Sequence, residues 1–184
     1  LEYAVSGQSW QYREKAYVLL HKPAGYECSQ KPRHHPGVLS LLPFQLRNRG
    51  LQTVGRLDED TTGLLLLTDD GQFLHTYTSP KKNIAKVYVA RVKHALDDNQ
   101  LNALCAGVVL NDDPEPVAAQ SAAARDAYTL ELTLTGGKYH QVKRMVAAAG
   151  NRVEALHRER MGEFVLPTDL LPGEWRYVEP GKRS

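Results

Sequence analysis

Val54-Gly55-Arg56-Leu57-Asp58-Glu59-Asp60-Thr61-Thr62-Gly63 runs directly into Leu64-Leu65-Leu66-Leu67. An apolar segment ends in an arginine and a cluster of carboxylates, and a glycine then restarts a wholly apolar run of the kind found in strands buried on both faces. The acids therefore sit on a short loop held by two buried elements. Acids on a polar turn are ordinarily solvated, yet a loop fixed by buried neighbours is also where a reacting carboxylate is best placed. Spacing alone does not choose among Asp58, Glu59 and Asp60.

Working outward, the chain reads as strands alternating with helices. Ala16 to His21 is a short apolar strand ended by Lys22-Pro23, and the stretch onward to Pro36 is a loop. Gln52 to Leu57 and Gly63 to Thr68 are strands flanking the acids. Asp69-Asp70-Gly71 caps a short helix through His75, which Ser79-Pro80 terminates. Val87, Val89 and Arg91 alternate with Tyr88, Ala90 and Val92 as a strand does, Asp97 to Ala106 is an amphipathic helix closed by Gly107, and Tyr128 to Thr135 is a further strand. From Tyr139 to Ala149, Val142, Met145, Val146 and Ala149 form one apolar stripe, with His140, Lys143 and Arg144 opposite and Gly150 as the stop. Gly136-Gly137 before this helix permits close approach of a ligand, and the helix N-terminus favours an anion.

The 184 residues suffice for one sizeable domain with a real core, and 42% of them are hydrophobic. Cys28 and Cys105 are far apart in no ligand-like spacing, which argues against a disulfide framework or a zinc site and for a reducing, cytoplasmic compartment. No apolar run approaches the ~20 residues of a membrane span, and no export signal is recognisable. The net charge is only +2, but it is unevenly spread. Lys81, Lys82, Lys86, Arg91 and Lys93 fall in one stretch without acids, and Lys138, Lys143, Arg144, Arg152, Arg158 and Arg160 in another, while Asp112, Asp113, Glu115 and Asp126 collect between them. If the basic stretches share a face, they form a footprint for a polyanion; the alternative is a solvated surface of mixed sign.

The stretch from Gly55 to Leu66 resembles the G-R-L-D-x-x-T-x-G-L-L-L signature of the RsuA-type ribosomal pseudouridine synthases. Lys86-Val87-Tyr88 resembles the K-x-Y of the same enzymes, and Gly137-Lys138-Tyr139-His140-Gln141-Val142-Lys143-Arg144-Met145 their G-R-Y-H-Q-V-K-R-M. Lys22-Pro23-Ala24-Gly25-Tyr26, Thr78-Ser79-Pro80, Leu156-His157-Arg158-Glu159-Arg160-Met161-Gly162 and Pro172-Gly173-Glu174 follow in the family's order, so the likeness runs from Tyr17 to Val178. It departs at Lys138, where many relatives carry arginine; the charge is kept and the planar fork for a bidentate phosphate contact is lost.

The resemblance implies an α+β fold: a largely antiparallel, bent sheet with flanking helices and a central basic cleft. It implies residues 16–184 as a catalytic domain, and residues 1–15, including Glu2 to Gly7, as the linker and closing strand of a small S4-like RNA-binding domain that would precede it. The implied activity is isomerisation of a specific uridine to pseudouridine in ribosomal RNA, with the 16S small-subunit RNA as target; alternatives are action on 23S large-subunit RNA and a non-catalytic RNA-binding module. No cofactor or metal is implied, because the N1–C1′ bond is exchanged for a C5–C1′ bond without net redox change.

By the same resemblance Asp58 is the catalytic carboxylate and Lys143 its partner, expected as a buried pair that keeps the acid ionised. Tyr88 would stack on the extruded uracil, its alternative being a core aromatic of the strand. Arg56 would fill the vacated base stack, its alternative being a surface ion pair with Glu59 or Asp60. Lys86, Lys138, His140, Arg144, Arg158 and Arg160 are the remaining candidates for RNA contact. The implied partner is ribosomal RNA or a subunit assembly intermediate, met by a monomer away from any membrane.

Overall fold

The structure, a computed structural model, describes residues 2–5, 8–11, 14–138 and 140–181, with side chains from residue 14 onward. Tyr139, expected to open the last helix, and Ser6 and Gly7 lie outside the described residues. Near the start, β1 (Glu2–Val5) and β2 (Gln8–Gln11) pair antiparallel with each other. Next come β3 (Tyr17–Lys22), a 3-10 turn over Val38–Leu41, a single-turn α1 (Phe44–Arg47), β4 (Gln52–Val54), β5 (Thr62–Thr68) and α2 (Gly71–Thr78). β6 (Lys86–Val92), α3 (Asp98–Ala106), β7 (Val108–Leu110), β8 (Asp113–Val117), β9 (Ser121–Asp126) and β10 (Thr129–Leu134) follow. α4 (Gln141–Ala148), β11 (Val153–Met161), β12 (Phe164–Val165) and β13 (Trp175–Tyr177) complete the order. With this strand-rich, four-helix content the fold is α+β.

One mixed sheet runs β13-β3-β5-β11-β6-β10-β9, with β4 on β5 and β12 on β11. Every pairing is antiparallel except β5 with β11, which is parallel and rests on His157 opposite Thr62 and Arg158 opposite Gly63. This short seam joins two halves. On one side, β5 buries Leu65 and Leu67 against Val18, Leu20 and Leu57 on one face, and Leu64 and Leu66 against Leu19, Val54 and Phe164 on the other. That two-sided burial is why its sequence is continuously apolar. On the other side, β6, β10 and β11 share a separate core with α4, which contributes Val142, Met145 and Val146.

Gly63 is what lets the halves meet. Its φ is +113°, and a Cβ there would stand 2.2 Å from the Arg158 carbonyl oxygen and 2.7 Å from its nitrogen. No side chain is compatible with that approach, and the conformation itself favours glycine. The acidic loop enters this seam directly, so its placement is fixed by backbone on both sides.

The helix signals behave as the sequence indicates. The Asp70 carboxylate accepts from the amides of Gln72 and Phe73 at the start of α2, which continues past His75 to Thr78. Asp97 accepts from Gln100 N at the start of α3, and Gly107 follows its end. Among the described residues seven strands were not anticipated: β2, β7, β8, β9, β11, β12 and β13. β8 reads Asp-Pro-Glu-Pro-Val and pairs only with β7 in a small separate sheet, the edge setting in which proline is tolerated.

Candidate active site

A cleft of about 1300 Å³ lies over the seam. Its walls are the acidic loop between β4 and β5, the cleft-facing side chains of β6 and β11, and the Gly136-Gly137 turn leading to α4.

The acidic loop is tied down from below. Lys22, the last residue of β3, is fully buried, and its ammonium donates to the carbonyls of Pro23 at 3.0 Å, Glu59 at 3.0 Å and Thr61 at 2.7 Å. Burial pushes the Lys22 ammonium below the usual lysine range, with the charges of Cys28, Glu59, Asp60 and Asp58 acting in the opposite direction. Gly25 N also donates to Glu59 O at 3.0 Å, and Thr61 N closes the loop on Asp58 O at 3.0 Å. The sequence shows Lys22 as the end of a strand and as part of a stretch in the family's order, with no role assigned to it. The one signal available was its place before Pro23 in a run otherwise apolar, and that does not distinguish a buried lysine from an exposed one.

These anchors aim the three carboxylates differently. Glu59 turns toward His35, 3.3 Å away. Asp58 lines the cleft with its Oδ2 3.3 Å from His140 Nε2 and 3.5 Å from Lys143 Nζ. Lys143 is shared, its Nζ also lying 3.2 Å and 3.3 Å from the two oxygens of Asp60. The expected buried pair is thus corrected to a half-exposed fork, with side chains 37% exposed at Asp58, 30% at Lys143 and 64% at Asp60. Its cause is the length of Lys143, which reaches from the exposed side of α4 across open cleft rather than from within the core. His140, considered above as an RNA contact, lines the cleft and faces Asp58. It has φ 48° and ψ 38°, a left-handed conformation that few non-glycine residues adopt, directly before α4.

Tyr88 packs partly against both cores and also lines the cleft. Arg56 is exposed at the cleft, and no ion pair to Glu59 or Asp60 is formed among the described residues. Lys86 and Arg158 line the cleft floor, Arg158 only 1% exposed. Lys138 lines the cleft but pairs with Asp113, and Arg144 pairs with Asp112, so both cations are met by the β7–β8 turn. Arg160 is exposed, lies outside the cleft lining, and donates from Nε to Gly162 O at 3.0 Å. The structure therefore gathers nearly all the candidates around one cavity. At Gly136 the close approach proves internal, since a Cβ there would lie 2.8 Å from Gln141 Oε1, whereas Gly137 faces open space.

A carboxylate held between a lysine and a histidine, an aromatic ring and a basic floor form a site for an enzyme that reacts at a nucleotide of an RNA chain. The family model described as RNA pseudouridylate synthase matches residues 16–148, and the chain belongs to this family. It is 44% identical over 160 residues to the ribosomal small subunit pseudouridine synthase A of Yersinia pestis, an alignment covering 87% of this chain and 68% of that protein. To the protein of the same name from Escherichia coli strain K12 it is 42% identical over 160 residues, covering 87% and 69%. Among solved structures, a crystal structure of pseudouridylate synthase superposes with a TM-score of 0.86 at 40% identity, covering 91% of this chain and 72% of that one. An archaeal box H/ACA sRNP Nop10-Cbf5 complex superposes with a TM-score of 0.59 at 16% identity over 86% of this chain and 51% of that one, a likeness of fold alone. The chain is a pseudouridine synthase, an isomerase.

Proposed function

We propose that this chain converts a specific uridine of ribosomal RNA, in the 16S small-subunit RNA, to pseudouridine, with residues 16–184 as its catalytic domain. The observation that carries the reading is the Asp58 carboxylate, which lines the cleft between Lys143 and His140 together with Tyr88. A carboxylate is the group that can act here as nucleophile or base, and the Lys143 ammonium lies 3.5 Å from it. Tyr88 offers the ring on which an extruded uracil stacks, and Arg56, exposed at the cleft edge, is placed to enter the helix where the base has left. The choice of small-subunit RNA is supported by the names of the similar proteins from Yersinia pestis and Escherichia coli.

The partner is ribosomal RNA or an assembling subunit, met by a monomer in the cytoplasm. No helix among the described residues is long and apolar enough to cross a membrane. Isomerisation needs no redox partner, so no cofactor enters the scheme. Mapping pseudouridine across ribosomal RNA from cells with the gene, without it, and with the Asp58→Asn form tests the reading. One small-subunit position should lose its mark in the last two strains. A lost mark in large-subunit RNA would transfer the assignment there, and an unchanged map would refute it.

A further inference from the structure

We propose that Arg158, with Lys86 beside it, binds the uracil ring of the target nucleotide and takes up the negative charge that the ring carries once its bond to the sugar has opened. Arg158 sits on β11 directly opposite Tyr88 of β6, and Lys86 lies two residues before Tyr88 on the same face of that strand. All three line the cleft. The proposal rests on the function proposed above and assigns the residues that meet the reacting base.

Two observations point to a ligand. The Arg158 Nε donates to Leu64 O at 3.0 Å, but its Nη2 is buried and has no partner in the structure. A buried donor of this kind is rare in folded proteins and calls for an acceptor. The second is the company Arg158 keeps. Burial lowers the Lys86 ammonium below the usual lysine range, and the Arg158 charge lowers it further, with no carboxylate acting to raise it. Arg158 likewise forms no ion pair among the described residues, its one hydrogen bond going to a backbone carbonyl. Two neighbouring cations with no anion of their own are costly to bury, and such sites mark function more often than architecture.

Depth selects the ligand. Backbone phosphates follow the surface of an RNA and meet the exposed rim, whereas the base of an extruded nucleotide travels deepest. The acceptors it brings to the floor are the carbonyl oxygens O2 and O4. Written for attack of Asp58 on C1′, the carboxylate oxygen bonds to C1′ as the C1′–N1 bond breaks, and the electron pair stays on N1. The ring becomes a monoanion, its charge shared by N1, O2 and O4. C5 then attacks C1′ with the C5–C6 electron pair and expels the carboxylate; the C5 proton leaves and N1 takes one up, so atoms and charge balance without a co-reactant. Cations that meet the anion more strongly than the neutral ring accelerate this sequence rather than merely tightening binding.

Single-turnover conversion of a ribosomal RNA fragment is compared for the unaltered chain, Arg158→Gln and Lys86→Met, using uridine and then 5-fluorouridine at the target position. Fluorine at C5 withdraws electrons and stabilises the ring anion by itself. With uridine, Arg158→Gln should lower the rate by about 10²–10³-fold at unchanged RNA affinity, and Lys86→Met should lower it less. With 5-fluorouridine, consumption of the substrate should suffer distinctly smaller losses in both variants. Equal losses on the two RNAs would overturn the proposal, as would weakened RNA binding with a shallower salt dependence and an unchanged rate, which would place a phosphate on Arg158. Lys86→Met alters a less buried side chain and decides the matter if Arg158→Gln does not fold. An unaltered chain that converts no uridine would remove the underlying function; a working chain with uniform losses would remove this proposal alone.

Discussion

The cations at the rim of the cleft and those on its floor are treated in opposite ways by the same chain. At the rim, Lys138 is met by Asp113, and Arg144, on α4 outside the cleft lining, by the neighbouring Asp112. On the floor, Arg158 and Lys86 lie together with no carboxylate partner, Arg158 gripped by backbone. Exposed pairs of the first kind contribute little to stability and exchange partners readily; an uncompensated buried charge is held at a cost and is specific in what relieves it. The rim is therefore suited to exchanging its aspartates for phosphates, while on the proposal above the floor receives the base. Asp58 stands between the two zones, drawn toward Lys143 and His140 on the rim side and fixed from below by Lys22 through its loop.

The largest effect should come from the acid itself. Asp58→Asn keeps shape but removes the nucleophile or base, so product formation should fall by about 10⁴-fold or more while RNA affinity and melting temperature stay close to those of the parent. Asp60→Asn, on the exposed side of the fork, should remain active. Rates from the Asp58→Asn variant comparable to the parent's would place the chemistry elsewhere in the cleft.

Next in size is the seam under the floor. Gly63→Ala puts a Cβ 2.2 Å from a carbonyl oxygen at a φ of +113°, so strands β5 and β11 must separate. The cost should exceed the ~1–3 kcal/mol typical of overpacking, and the floor cations should lose their alignment with it. Urea unfolding measures this, and a change within about 1 kcal/mol would show that the seam is looser than drawn. Lys143→Met should behave differently, because its partners are half-exposed. Stability should drop by no more than about 1 kcal/mol, while the rate on RNA falls much more; a large loss of stability with an intact rate would mark Lys143 as structural.

The rim and the floor were also unequally legible. The loop acids, the double-sided apolar run of β5, the caps at Asp70 and Asp97 and the stripe of α4 all follow from local pattern, and each stands where the pattern puts it. β11 does not follow, because Val-Glu-Ala-Leu-His-Arg-Glu-Arg-Met lacks the alternation of a half-buried strand, yet it lies between β5 and β6. Its Arg158 looks like one more surface cation until the strand pairing buries it. β9 is mostly Ser, Ala, Arg and Asp and owes its form to pairing with β10 rather than to propensity. Lys22 was hidden for the same reason: besides the adjacent Pro23, the carbonyls of the distant Glu59 and Thr61 make its burial possible, and no local pattern announces them. The acids of the β7–β8 turn were visible as charge, but their pairing with the rim cations depends on a hairpin that two prolines disguise.

The smallest effect expected is also the one that separates rim from floor most directly. Asp112→Asn with Asp113→Asn removes the internal partners of Arg144 and Lys138 and leaves the floor untouched. In the parent, a phosphate arriving at either cation must displace an aspartate, so part of the electrostatic gain of binding is cancelled by the pair that is lost. In the variant neither of these two aspartates has to be displaced. RNA affinity at low salt should rise several-fold, and the salt dependence of log affinity should steepen by up to about 0.7–0.9 for each aspartate pair removed. The single-turnover rate on saturating RNA should not change, since neither aspartate faces the reacting base. A salt titration of RNA binding beside a rate measurement gives both numbers. If affinity and slope stay those of the parent, the aspartates do not compete with phosphate; if the rate falls while binding is unchanged, the β7–β8 turn acts on the chemistry and the division between rim and floor fails.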